Sequence, residues 1–206
     1  MTDPVFERTV SPEHRQKQLR ATLRNLLARL RDDRNGIGGV EFALLFPILL
    51  VGYLAAFEFT IGFSVMKRAT AAASSVADLV SQQEGDIDKA FLTRMNDFAA
   101  ATFAPYSDAG LELTVSGIAV DTSGNAKIAW SWKNDNTTPY TEGDSVSIGE
   151  FAQADSFLIH TELSIPHELM IYLPNFKGSQ LTTKTFYREY YYLQRLGETG
   201  IGCRDC

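Results

Sequence analysis

Apolar residues dominate one stretch of the chain. From Ile37 to Met66, thirty residues include no Lys, Arg, Asp or Asn, and the only charged groups are Glu41 and Glu58. About twenty apolar residues cross a bilayer as a helix, so this pattern predicts a transmembrane helix over 37–66 with turns to spare. Pro47 lies inside it. Membrane helices tolerate proline, and a kink is expected there. Ahead of the run, Leu19, Leu23, Leu26, Leu27 and Leu30 recur at three- and four-residue spacing with arginines filling the other face. That predicts a basic amphipathic helix over about His14 to Arg34, suited to an anionic inner leaflet. Asp32-Asp-Arg-Asn-Gly then ends it with turn residues.

Beyond Met66 the helix is expected to continue to about Val80, because Ala69, Ala72, Ala73, Val76, Ala77 and Val80 form a narrow small-residue face. Such a face suits close packing in a bundle or filament, and equally a stalk lying on its own domain. Ser81-Gln-Gln-Glu-Gly breaks the pattern, and a second amphipathic helix comes next over about Asp86 to Phe103, with Ile87, Phe91, Met95 and Phe98 on one side.

The period then changes to two. Leu111 to Val120 and Ala126 to Trp132 alternate across the turn Asp121-Thr-Ser-Gly-Asn, with Ile128, Trp130 and Trp132 assigned to one face. Phe157, Ile159, Thr161, Leu163 and Ile165 form a third strand ending at Pro166. Thr182 to Leu193 forms a fourth, with Phe186, Tyr190 and Tyr192 on one face. Asn134 to Ala154 reads as polar loop. The two tryptophans are expected in the core, and the run Tyr190 to Tyr192 must send rings to both faces. Four strands with one helix across them make an α+β domain. The predicted organisation is therefore a basic cytoplasmic leader (1–36), a transmembrane helix (37–66), a helical extension (67–84) and an exported α+β domain (85–206).

Charge sharpens this division. Residues 1–36 carry eight Lys/Arg against five Asp/Glu, whereas the remainder carries eleven against twenty, within a total of −6. Arg24, Arg29, Arg31 and Arg34 precede the apolar run, and only Lys67 and Arg68 come after it before Lys89. The positive-inside rule then leaves the N-terminus in the cytoplasm and exports the chain beyond Met66. The acidic bulk argues against nucleic acid as a partner. A cleaved secretory signal is the competing reading, with Ala69-Thr-Ala71 as its cleavage site, but it needs an apolar region and a leader both far longer than usual.

A carboxylate in a membrane is costly and points to a function with a partner. Glu41 stands five positions after Gly36, at the head of the apolar helix and behind the basic leader. This arrangement resembles a prepilin peptidase site, in which cleavage after Gly36 frees Ile37 as the new N-terminus. More narrowly, Gly39-Val-Glu-Phe-Ala-Leu-Leu-Phe-Pro-Ile-Leu-Leu, with a second acid at Glu58 and the alanine-rich Arg68-Ala-Thr-Ala-Ala-Ala-Ser-Ser-Val-Ala, resembles the signature of TadE/TadG-like proteins. These are minor pilins, or pseudopilins, of tight-adherence (Flp, type IVc) pilus systems. The resemblance covers roughly residues 36–80. It differs from many mature pilins in its long leader, in Ile37 where phenylalanine is common, and in Gly38 and Gly39, which weaken the helix start by about 1 kcal/mol each.

The resemblance implies a pilin-like antiparallel sheet and an assembly role in the bacterial inner membrane, with membrane lipid, other pilin subunits, pilus assembly proteins and prepilin peptidase as partners. It also implies that Glu41 meets the N-terminal ammonium of a neighbouring subunit, two charges costly in lipid becoming tolerable as a pair. An uncleaved anchor with Glu41 at headgroup level is the alternative. Glu58 is seventeen residues further on, about 260° around a helix, so it does not share the face of Glu41. It is expected either to snorkel to the outer interface or to pair with another chain.

The only cysteines, Cys203 and Cys206, end the chain as Cys-Arg-Asp-Cys. A small disulfide loop or free thiols are expected of them. A zinc site needs two further ligands from His14, His160 or His167, and a redox pair would need a helix after it. His160 reads as a sheet-surface histidine mid-strand, and His167-Glu168 as a pair in a turn after Pro166. With no glycine-rich phosphate loop, HExxH or GxSxG, neither a cofactor nor an enzymatic activity is expected.

Overall fold

A computed structural model describes residues 37–149, 153–169, 183–197 and 200–206. The expected leader, its amphipathic helix and Gly36 lie outside the described residues. The chain divides into two compact units, Met1–Tyr53 and Leu54–Cys206. Of the first, residues 37–53 are described, and all are helical. They open helix α1 (Ile37–Ser81), which carries Pro47 without ending there.

In the second unit α1 runs on to Ser81. Thr60 and Ser64 donate their hydroxyls to the carbonyls of Ala56 and Thr60 (both 2.8 Å), and Thr70 does so to Met66 (3.1 Å). Hydroxyls satisfied within the helix can face apolar surroundings without a desolvation penalty. After Ser81 the chain turns at Gly85, whose φ of 77° is a left-handed conformation that glycine adopts without strain. Helix α2 (Lys89–Thr102) starts where Asp88 accepts the Phe91 N–H at 2.7 Å, a cap contributing about 1 kcal/mol. Its buried residues are Leu92 and Ala99, followed by the fully buried Phe103, with Phe91 and Met95 flanking. Phe98, expected on the packed side, is exposed, and Ile87 precedes the helix.

Five strands form one antiparallel sheet in the order β3-β2-β1-β4-β5: β1 (Glu112–Val120), β2 (Ala126–Lys133), β3 (Ser145–Val146), β4 (Ser156–Glu168) and β5 (Thr183–Leu193). With its two helices, this unit is α+β. Strand β3 and the buried Ile148 come from a segment whose polarity predicts only loop. One sheet face carries Leu113, Val115, Trp130, Trp132, Ile159, Leu163 and Ile165, packed with α1 and α2 in a single core. Ile118, Val120, Ala126, Ile128 and Leu158 form a second, smaller cluster.

Ile128 therefore belongs with a different cluster from Trp130, contrary to the expected single face. The cause is a bulge in β2. Gly117 pairs with Trp130 and Ile118 with Ile128, leaving Ala129 unopposed, and an extra residue reverses the alternation on either side of it. Gly117 is required here, since a Cβ would collide with the Trp130 indole and the Phe157 ring. Strand β4 also runs past its expected end. Pro166 pairs with Thr185 of β5, whereas pairing with β1 stops at Ser164. A strand flank without a partner is where a missing N–H is tolerated, so His167 and Glu168 lie on a strand rather than in a turn.

The C-terminal segment is tied to the start of α2. Ile87 N–H donates to the Gly202 carbonyl (2.9 Å), Arg204 N–H to the Ile87 carbonyl (3.0 Å), and Lys89 N–H to Asp205 Oδ1 (2.8 Å). The Trp130 indole N–H donates to the Ile201 carbonyl at 2.6 Å, satisfying the one polar atom of a buried tryptophan. Cys203 and Cys206 are joined by a disulfide within this segment.

Candidate functional site

Every residue from Gly38 to Phe57 is exposed, twenty in succession. Leu, Phe, Ile, Val and Tyr lie on all sides of the helix there, with Leu44 at 70% and Tyr53 at 67% exposure. A helix apolar all round needs a protein core or a lipid phase around it. Twenty helical residues measure about 30 Å, the thickness of a bilayer's hydrocarbon. Among the described residues α1 is the one helix long and apolar enough to cross a membrane. Glu41 is an exposed residue of this stretch, between Val40 and Phe42. Ile37 is the first residue described.

Burial begins at Glu58, which is 9% exposed. From it a stripe continues through Val65, Ala69, Ala72, Ala73, Val76 and Val80, all buried in one core with the sheet and α2, and Ala77 is buried beside them. The small-residue face thus packs on the chain's own domain, the stalk option of the two that the sequence leaves open. Ala side chains let the helix backbone approach the sheet closely, and removing their surface from water stabilises by roughly 25 cal/mol per Å².

Glu58 heads this stripe and faces β4. Its Oε1 lies 3.5 Å from His167 Nε2, with both side chains largely buried, and the His167 ring stands 6.2 Å from the Phe186 ring. The sequence suggests snorkelling or a contact with another chain; the structure instead turns Glu58 towards its own sheet. A readable signal existed: Glu58, Val65, Ala69, Ala72, Val76 and Val80 keep three- and four-residue multiples. His167, read as a surface residue, is the partner that sequence reasoning missed.

The two basic residues after the apolar run separate in the same way. Arg68 Nη1 donates to the Thr102 carbonyl at 2.7 Å, and its guanidinium lies 5.4 Å from the Tyr106 ring, so it is bound into the domain. Lys67 is exposed, with its ammonium 4.7 Å from the Phe63 ring centre. Phe63 in turn stacks on Phe59 (6.3 Å, 7°). Phe59, Phe63 and Lys67 make an outward line at four-residue spacing that is apolar and then cationic, the arrangement that suits a side chain snorkelling from hydrocarbon to water.

Two groups of metal-ligand type occur among the described residues: Cys203, Asp205 and Cys206, and His160, Glu162 and Glu189. In the first, both sulfurs are already spent in the disulfide. The second lies on strands β4 and β5, where the sequence singles out His160 alone, as a sheet-surface histidine.

Searches of curated proteins and of solved structures return no match. The sequence model of one family does match, over residues 36–78, which is 43 of the chain's 206 residues. The matched stretch spans the exposed part of α1, Glu41, Pro47 and Glu58, and most of the packed stripe. The family that this chain matches, over that stretch, is that of the TadE-like proteins.

Proposed function

We propose that this protein is a membrane-anchored minor pilin, or pseudopilin, that acts in assembly of a tight-adherence pilus and its secretion machine, without catalysis. The observation that carries the reading is the twenty-residue apolar surface of α1, Gly38–Phe57, inside the stretch that matches the TadE-like family. A helix apolar on every side is inserted in the inner membrane or packed laterally with like helices when subunits assemble. The basic leader stays in the cytoplasm and the α+β domain is exported. Arg68 supports this orientation, because its charge is bound into the domain and leaves Lys67 as the exposed cation on that flank.

Prepilin peptidase cuts after Gly36, and Glu41, exposed near the new N-terminus, receives the ammonium of Ile37 from a neighbouring subunit. Glu58 has a different role, holding the domain to its helix through His167. Mass spectrometry of the membrane-extracted protein tests the reading: the chain is expected to begin at Ile37. An intact leader in cells with a working prepilin peptidase would favour an unprocessed single-pass envelope protein whose exterior domain binds a ligand or acts as a scaffold.

A further inference from the structure

The face of β4 and β5 turned away from the helices carries a polar cluster on alternating positions. His160 and Glu162 lie on β4. Opposite them on β5 lie Tyr191 and Glu189, and one step further Tyr187 pairs with Ser164. His160 is 6% exposed. Its ring stacks on Tyr191 with centroids 4.2 Å apart and planes 9° from parallel. His160 Nε2 is buried, has no hydrogen-bond partner among the described residues, and points towards Glu189 Oε2 at 3.7 Å. A buried polar atom without a partner costs about 1–3 kcal/mol, so something must offset it.

Two carboxylates face that nitrogen. Glu162 and Glu189 are directly opposite each other across the strand pair, a placement that destabilises a sheet when both are charged. Among the described residues neither forms an ion pair with Lys or Arg. Glu162 is held on both oxygens: Oε2 accepts the Tyr140 hydroxyl (2.7 Å) and Oε1 the Tyr187 hydroxyl (2.5 Å). Both phenols donate to this carboxylate and fix its orientation.

The geometry points to a divalent transition-metal site formed by His160 Nε2 and one carboxylate oxygen each from Glu162 and Glu189, with Tyr140 and Tyr187 as the hydroxyls that orient Glu162. One ligand atom from each of the three residues lies within 4.8 Å of the others. Donors about 2.0–2.2 Å from a tetrahedral ion stand about 3.4 Å apart, close to the 3.7 Å between His160 and Glu189. One imidazole with two carboxylates suits zinc or manganese among first-row ions. Such an ion neutralises the facing glutamates and supplies the partner that His160 Nε2 lacks. Three protein donors leave a fourth position for water or for a donor from another molecule.

The test is calorimetric titration of Zn²⁺ into the full-length, tag-free protein in detergent, stripped beforehand with chelator and kept oxidised. One ion per chain is expected, with a Kd of about 10 µM or tighter. Glu189→Gln, at a half-exposed position, weakens binding about tenfold or more, and Glu162→Gln does the same. Tyr187→Phe weakens it by about tenfold, as loss of an outer hydrogen bond does. Circular dichroism confirms that each variant is folded. Absence of stoichiometric binding would overturn the site, as would unchanged affinity in both glutamine variants. Loss of binding in a Cys203→Ser/Cys206→Ser protein would overturn it too, by moving the ion to the C-terminal segment.

Discussion

Helix α1 contains two stretches of the same secondary structure and opposite fate. From Gly38 to Phe57 every residue is exposed, whereas from Glu58 to Ser81 a stripe of residues is buried against the sheet and α2. The difference lies in side-chain size and distribution. Leu, Phe, Ile and Tyr surround the first stretch, and no single face is smooth enough to seat a sheet. Alanines and valines at three- and four-residue spacing give the second a flat strip, with Lys67 and Ala71 left on other sides. Apolar content alone does not say what covers a helix; the distribution of volume around its axis does. A uniformly bulky surface calls for lipid or other helices, and a small-residue strip calls for a close protein neighbour.

The most severe way to break this contrast is to charge the exposed stretch. Leu45→Arg with Leu49→Arg places two guanidiniums where each costs about 2.5–3.5 kcal/mol at a membrane helix centre. The double variant is expected to leave the membrane fraction in flotation and carbonate extraction. The unfolding temperature of its α+β domain in detergent should match that of the parent, because neither leucine is buried in the fold. A domain destabilised by these changes would mean that the exposed stretch is part of the folded core after all.

A gentler comparison puts one substitution into both stretches. Ala73→Leu forces three extra carbons into a position with no exposed surface, and overpacking of this kind costs about 1–3 kcal/mol. Ala56→Leu, in the exposed stretch, adds apolar surface with nothing to collide with. Denaturation of the two proteins in the same detergent should show a lowered midpoint for the first and none for the second. Equal effects would remove the distinction between the stretches.

Much of this was legible in the chain. The apolar run, the small-residue strip and the second helix are set by their periods, and β1, β2, β4 and β5 by their alternation. What was not legible depends on pairing between distant segments. The bulge at Ala129 exists because Gly117 makes room for Trp130, and no local pattern in β2 reveals that Ile128 and Trp130 part company. Pro166 ends a strand by local rules, yet here β1 has already stopped pairing at Ser164, so β4 continues. The buried residues of α2 are Leu92 and Ala99, followed by Phe103, and Ile87 precedes the helix, bonded to Gly202 and Arg204 of the C-terminal segment. The polar cluster on the outer sheet face was visible only as parity: His160 and Glu162 alternate with Ile159, Thr161 and Leu163, but their meeting with Glu189 and Tyr187 needs the β4–β5 register.

The smallest expected effect concerns the two acids of the apolar run, Glu41 and Glu58. Glu41 is exposed, and Glu58 lies 3.5 Å from His167 within the packed stripe. Either single change at Glu58 or His167 mixes several losses, so the informative quantity is the coupling between them. A double-mutant cycle of Glu58→Gln and His167→Gln keeps the shape of each carboxylate or ring site roughly constant while removing the charge and the ring nitrogen. Neighbours in contact couple by about 0.5–3 kcal/mol, and a pair without a well-formed hydrogen bond belongs near the lower end, about 0.5–1 kcal/mol. The same cycle with Glu41→Gln in place of Glu58→Gln should give zero, since that side chain is exposed on the apolar stretch. A null coupling for Glu58 as well would reduce its position in the stripe to packing alone, and the contrast between the stretches would then extend to volume but not to charge.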